Sequence, residues 1–307
     1  MVVFSFRGFS PIKRLLSFSG QCCACRRAMV NKLWYRVSRK WSRLKTEPPH
    51  ARLFSESRFQ ETVESWYLIY RWIVFLSWAS IIICSVFKIG SHEPRANNQL
   101  WAIYLTNWDL ILGLTQSLLG AIIVSRRWNL QKLANFNPDN LNLSLLERTY
   151  WFLYVVTSSM AICVTIIYWG AVFDPKTHVV DFLNILLHVC NSLLMIVDLC
   201  IVKVPFIVIS FWWCLLVALA YVLFSAIYFV AGGVDKLGNR FIYPILNWEK
   251  PGMTLGVCFG VTIFLIIVHC LFCLAASLAT RKCRREKDDS KLDNVQSISV
   301  KQVELII

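Results

Sequence analysis

Two apolar stretches of this sequence carry side chains able to do chemistry. One reads Tyr104-Leu105-Thr106-Asn107-Trp108-Asp109, and the other places Asp181, Asn184, His188, Asn191 and Asp198 close together. A threonine hydroxyl is a weak nucleophile and needs a base within hydrogen-bond reach. His188 is the candidate base, and Asp109 stands one turn beyond Thr106. Such a set could attack an ester with the help of a general base. A histidine flanked by amides and carboxylates can also change protonation near neutral pH.

The second group is spaced 3, 4, 3 and then 7, with Met195 at the skipped position. Those offsets place all five polar side chains along one helical stripe, while Val, Ile and Leu fill the other faces. A stripe of this kind in an apolar helix points inward. Two readings stand side by side: packing glue, in which Asn and Asp bond across helices, or the lining of a functional cavity. Thr106 lies about five residues, and His188 about nine, from the outer ends of their apolar blocks. At about 1.5 Å per residue their depths differ by about 6 Å, within the reach of side chains and helix tilt. The expectation is one outward-opening pocket containing Thr106, His188 and Asp109.

The elements that must hold these residues are membrane helices. Of 307 residues, 57% are hydrophobic and 16% charged, and the mean hydropathy is +0.54. A soluble globular domain has roughly 45–50% apolar and about 25% charged residues, so that class is excluded. With 12 Gly and 9 Pro, collagen and disordered chains are excluded as well. Spanning the hydrocarbon takes about 20 mostly apolar residues in a helix that pairs its own backbone. Six blocks satisfy this, at 69–87, 101–124, 150–173, 179–202, 206–231 and 253–279. The fold class is therefore all-α: a polytopic bundle of six transmembrane helices at 69–279, after a basic segment at 1–68 and before a charged tail at 280–307.

The net charge of +14 could suggest nucleic acid, but the basic residues avoid the apolar blocks. Segments 1–68, 125–148, Lys203 and the tail together hold 25 Lys and Arg, and the intervening loops hold 6. This asymmetry predicts that both termini are cytoplasmic and that the charge serves the inner leaflet of a plasma or endomembrane rather than nucleic acid. Arg71 alone falls inside the first block. Aromatic residues near block ends (Trp66, Tyr67, Tyr70 and Trp72; Trp101 and Tyr104; Tyr150, Trp151 and Tyr154; Tyr168 and Trp169) read as belts at headgroup level. No cleavable leader is visible, so the first span is expected to act as signal anchor. The 12 Cys fall in apolar or cytoplasmic segments, and no disulfide framework is expected.

Within the basic segment, Cys22-Cys23-Ala24-Cys25-Arg26-Arg27 offers a site for S-acylation, and its charges would attract anionic lipid. A solvated tail is the alternative, and zinc is disfavoured for want of a second ligand pair. The C-terminal Val303-Glu304-Leu305-Ile306-Ile307 fits either a PDZ-type groove or a frayed end. No Walker loop, Gly-x-Gly-x-x-Gly, Gly-x-Ser-x-Gly or His-Glu-x-x-His occurs, so no cofactor or metal is expected. Asn142-Leu143-Ser144 is a glycosylation sequon in a cytoplasmic loop.

An outer loop opens with Gly232-Gly233 and carries Tyr243-Pro244-Ile245-Leu246-Asn247-Trp248 before Pro251-Gly252. Together with residues 104–108, His188-x-x-Asn191-Ser192 and Asp198, this loop resembles the rolling stone family of multi-pass membrane proteins over about residues 65–280. The resemblance implies a role at the plasma membrane in cell fusion during muscle formation. A more distant similarity is to androgen-induced membrane hydrolases, which cleave fatty-acid esters of hydroxy fatty acids with an intramembrane Thr and His. Their aromatic-Leu-Thr run is similar to residues 104–110 and implies Thr106 as nucleophile. Their Tyr-Pro-x-Leu before Pro-Gly is similar to Tyr243, Pro244, Leu246, Pro251 and Gly252. Their His-x-x-His-Thr meets His188-Val189-Cys190-Asn191-Ser192, so the functional His falls on Asn191. A neutral amide is no general base, and hydrolysis would require His188 to substitute.

Overall fold

The computed structural model describes residues 49–92, 98–175 and 179–304. Cys22, Cys23, Cys25 and the last three residues of the C-terminal motif lie outside the described residues. Six helices are long and apolar enough to cross a membrane: α1 (Ser65–Phe87), α2 (Leu105–Leu130), α3 (Leu145–Val172), α4 (Phe182–Ile201), α5 (Val208–Val230) and α6, whose apolar part is Pro251–Cys283. No strand occurs among the described residues beyond an isolated bridge of Ser57 with Val202. The six blocks expected from hydropathy are all present, and the protein is an integral membrane protein of all-helical fold.

Burial sets the order of the helices. Half of the most apolar window is buried in α2 and in α3, against 17% in α5. The second and third spans are therefore central, and the fifth is peripheral. One core joins α1, α2, α3 and α4 through Trp78, Leu110, Ile123, Tyr150, Tyr154 and Met195. A second joins α3 to α5 and α6 through Val156, Met160, Cys214, Leu265 and Phe272. Leu76, Ile83, Leu216, Leu223, Leu271 and Leu278 are exposed on the outside. An apolar outer surface of this kind fits a bilayer.

Several helix ends differ from the hydropathy blocks because polar contacts set them. The second helix starts at Leu105 rather than 101, since Tyr104 is extended and residues Asn98–Ile103 form a 3-10 turn. The third starts at Leu145 because Ser144 and Glu147 form a capping box, which also engages the hydroxyl of the sequon. The sixth continues as one helix from Pro251 to Glu304, so the tail is helical well beyond the apolar block. Not all of the aromatic residues read as belts sit at the rim. Tyr67, Tyr150 and Tyr154 are fully buried in the core that joins the first four helices, and the Tyr150 hydroxyl accepts from Arg71 Nη2.

On the basic side, residues 49–64 pack under the bundle. Glu56 is buried and meets Lys203 at 2.9 Å, Arg52 at 2.8 Å and Arg127 at 3.7 Å. One carboxylate thus ties the segment before α1 to the end of α2 and to the α4–α5 turn. Arg58 donates from Nε to the Leu199 carbonyl at 3.0 Å and from Nη1 to Thr280 Oγ1 at 2.7 Å. Its backbone N–H bonds Ile201 O at 2.8 Å, and its carbonyl accepts from Cys283 Sγ. A guanidinium at the carbonyl end of α4 is favoured by the helix dipole.

Candidate functional site

On α4, Asp181, His188, Asn191 and Asp198 are buried and Asn184 is half-buried. Residues Leu186–Cys190 form a π turn, which keeps His188 on the buried side as the helix continues into Asn191. Asp181 caps the helix, its Oδ1 accepting from Asn184 N at 2.7 Å while Oδ2 accepts from His92 N at 3.0 Å. The hydroxyl of Tyr168 donates to Asn184 Oδ1 at 2.9 Å. The ring of His188 stacks on that of Tyr168, their centroids 3.4 Å apart, and His188 Nδ1 has no hydrogen-bond partner among the described residues. Asn191, Met195 and Asp198 are fully buried.

These last three residues face polar groups of neighbouring helices, level by level. At the level farthest from the basic side Asp109 Oδ2 accepts from Asn191 Nδ2 at 3.4 Å. Asn191 Oδ1 accepts from Ser192 N at 2.6 Å, and Thr165 Oγ1 lies 2.6 Å from Ser192 Oγ. At the middle level Gln116 Nε2 approaches the Met195 sulfur at 3.8 Å. At the level nearest the basic side Arg71 Nη1 donates to both oxygens of Asp198, at 2.7 and 2.9 Å, and Tyr70 OH donates to Oδ1 at 2.8 Å. Arg71 Nη2 donates to Tyr150 OH at 3.2 Å.

Gly120 makes room for that guanidinium. A Cβ there would lie 2.0 Å from Arg71 Nη2 and 3.0 Å from the Tyr150 ring. Arg71 is the basic residue inside the first hydropathy block, and neither its partner nor the space that Gly120 leaves for it follows from spacing alone. The available signal was charge balance: a lone cation and a carboxylate at membrane depth are expected to find each other. A further polar knot was missed as well, where His269 Nδ1 is 3.3 Å from Ser159 Oγ and Nε2 is 3.1 Å from Ile207 O. All of His269 and Ser159 is buried, and the ring joins α3, α6 and the segment before α5.

Thr106 and His188 have separate neighbours. Thr106 is in the first turn of α2, where the Tyr243 hydroxyl accepts from Leu105 N at 3.0 Å with the Thr106 and Tyr221 hydroxyls beside it. Burial pushes the Tyr243 phenol up from its ordinary range, so it stays neutral. Tyr104 packs edge-on against the Tyr243 ring at 5.8 Å, and Tyr221 OH donates to Ile103 O at 2.9 Å. Pro244 opens a short 3-10 turn, and Pro251 and Gly252 start α6. Trp248 Nε1 donates to Ser225 Oγ, and Thr254 Oγ1 to Asn247 O, which fastens the rest of the loop to α5 and α6. The outer-loop motif therefore closes over the start of α2. No group of three or more His, Cys, Asp or Glu able to hold a metal occurs among the described residues.

Comparison with known proteins follows the same residues. The family described as "Protein rolling stone" matches residues 44–291, which takes in the segment carrying Glu56 and Arg58 as well as all six spans. "Protein rolling stone" of Drosophila melanogaster is 28% identical over 225 residues, covering 70% of this chain and 78% of that protein. No solved structure matches. With the family's match spanning most of its length and its six apolar helices joined by that motif loop, the chain belongs to the rolling stone family.

Proposed function

We propose that this protein organises membranes, as a component of cell fusion or membrane architecture, and does so without catalysis. Membership of the rolling stone family supports the membrane role. The observation that carries the non-catalytic reading is how the polar groups are engaged. Thr106 is gathered with Tyr243 and Tyr221 at the start of α2, while His188 is stacked on Tyr168. A nucleophile and its base must instead lie within hydrogen-bond reach.

In this reading the basic face lies against the inner leaflet of the plasma membrane or an endomembrane, with both termini in the cytoplasm. The distribution of Lys and Arg supports that orientation. Anionic lipids meet the basic N-terminal segment, acyl chains on Cys22, Cys23 and Cys25 add a second anchor, and the C-terminal residues dock a PDZ-type groove. The test pairs two measurements on cells expressing the full chain. Content mixing with a partner cell population should fall when the protein is depleted and recover on re-expression. A fluorophosphonate probe should leave Thr106 unlabelled. Labelling lost in Thr106→Ala would overturn the non-catalytic reading.

A further inference from the structure

Asp109 is a fully buried carboxylate whose Oδ1 has no hydrogen-bond partner among the described residues and whose Oδ2 accepts a long bond there, 3.4 Å from an amide. No ion pair to it occurs among the described residues. An ionised carboxylate in so apolar a place is costly unless a cation or several donors accompany it. Arg71 does not serve, because both oxygens of Asp198 and the Tyr150 hydroxyl hold it at the level nearest the basic side.

Other unpaired oxygens continue from Asp109 toward the basic side. Gln116 Oε1 and Thr157 Oγ1 are fully buried and bond nothing among the described residues. Their level follows from the contacts. On α3, residues 150, 154, 157, 161 and 165 repeat at intervals of four and three and so share one face. The Tyr150 end of that face touches Gly120 and Arg71, and the Ala161 carbonyl accepts from Ser192 beside Asn191. Thr157 lies between them, at the level of Gln116 and Met195. Carboxylate, amide carbonyl and hydroxyl oxygens are the ligands that hard cations take.

We propose that Asp109 is the binding site for a small monovalent cation, sodium or a proton, with Gln116 and Thr157 extending the oxygen-lined path to the closed Arg71–Asp198 pair. Cys163 on α3 interacts electrostatically with Asp109, and His188 precedes by one turn the Asn191 of α4 that bonds Asp109. Asp198 and Arg71 are bonded to each other, so His188 and Cys163 are the groups whose titration must be separated from that of Asp109.

The experiment is thermal unfolding of the purified full-length protein in detergent. Sodium is titrated against choline at constant ionic strength, and pH is varied separately in choline. The wild type should gain several degrees in unfolding midpoint with one or both. A gain with sodium at fixed pH assigns sodium, and a gain only as pH falls assigns a proton. Asp109→Asn should lose the dependence and unfold near the saturated wild-type temperature, while His188→Gln and Cys163→Ser should keep it. Should Asp109→Asn not fold, Asp109→Glu must move the midpoint of the titration. A wild type insensitive to both sodium and pH, a dependence that survives in Asp109→Asn or is unmoved in Asp109→Glu, or one abolished by His188→Gln or Cys163→Ser, overturns the proposal.

Discussion

Removing the carboxylate of Asp198 strands a guanidinium that is wholly enclosed by α1, α2, α3 and α4. Breaking one half of a buried ion pair costs about 3–5 kcal/mol, whereas replacing both halves with apolar groups of similar volume is often neutral. Asp198→Ala should therefore lower the unfolding midpoint strongly in a detergent melt, and Arg71→Met with Asp198→Leu should regain most of the loss. Gly120→Ala should resemble Asp198→Ala, because the new methyl would displace Arg71 Nη2. At this scale the sequence was partly legible. Of the polar side chains spaced from Asp181 to Asp198, four are buried and Asn184 is half-buried. The spacing could not show their partners, since Asp109, Gln116 and Arg71 come from helices whose rotation depends on packing.

The spans were legible because twenty apolar residues have few other fates. Their ends were not, because tertiary contacts set them. The start of α2 moves from 101 to Leu105 where a tyrosine from a distant loop accepts the first amide of the helix. Tyr243→Phe should leave that N–H without its partner, cost about 1 kcal/mol, and speed hydrogen exchange at Leu105 while leaving α4 amides unchanged. The same contact explains why Thr106 stands in the first turn rather than five residues down. The π turn at Leu186–Cys190 is a second element-level feature that hydropathy cannot reveal, since it changes the winding and not the composition.

For the molecule as a whole, the basic face is more than a surface charge. Glu56 gathers Arg52, Arg127 and Lys203 from three separate segments, although it looks unremarkable in a segment counted only for its cations. Glu56→Gln should weaken that layer by about 1.5–3 kcal/mol, and limited proteolysis between residues 49 and 64 should accelerate before the spans unfold. Epitope tags at either end should be reached by antibody only after permeabilisation, and surface staining of either tag in intact cells would reject the proposed orientation.

Arg58 also sets an order of events during biosynthesis. Its partner Thr280 is 222 residues later in the chain, and Cys283, which bonds its carbonyl, is 225 residues later. At roughly 5–20 residues per second, a ribosome needs about 10–45 seconds to make the intervening chain. Throughout that interval the stretch before the first span has its earlier-made contacts but lacks its final clasp. Completion of the sixth span is thus reported back to the beginning of the polypeptide by one side chain. A chain truncated before that span leaves the guanidinium without its hydroxyl partner, on the cytoplasmic side in the proposed orientation.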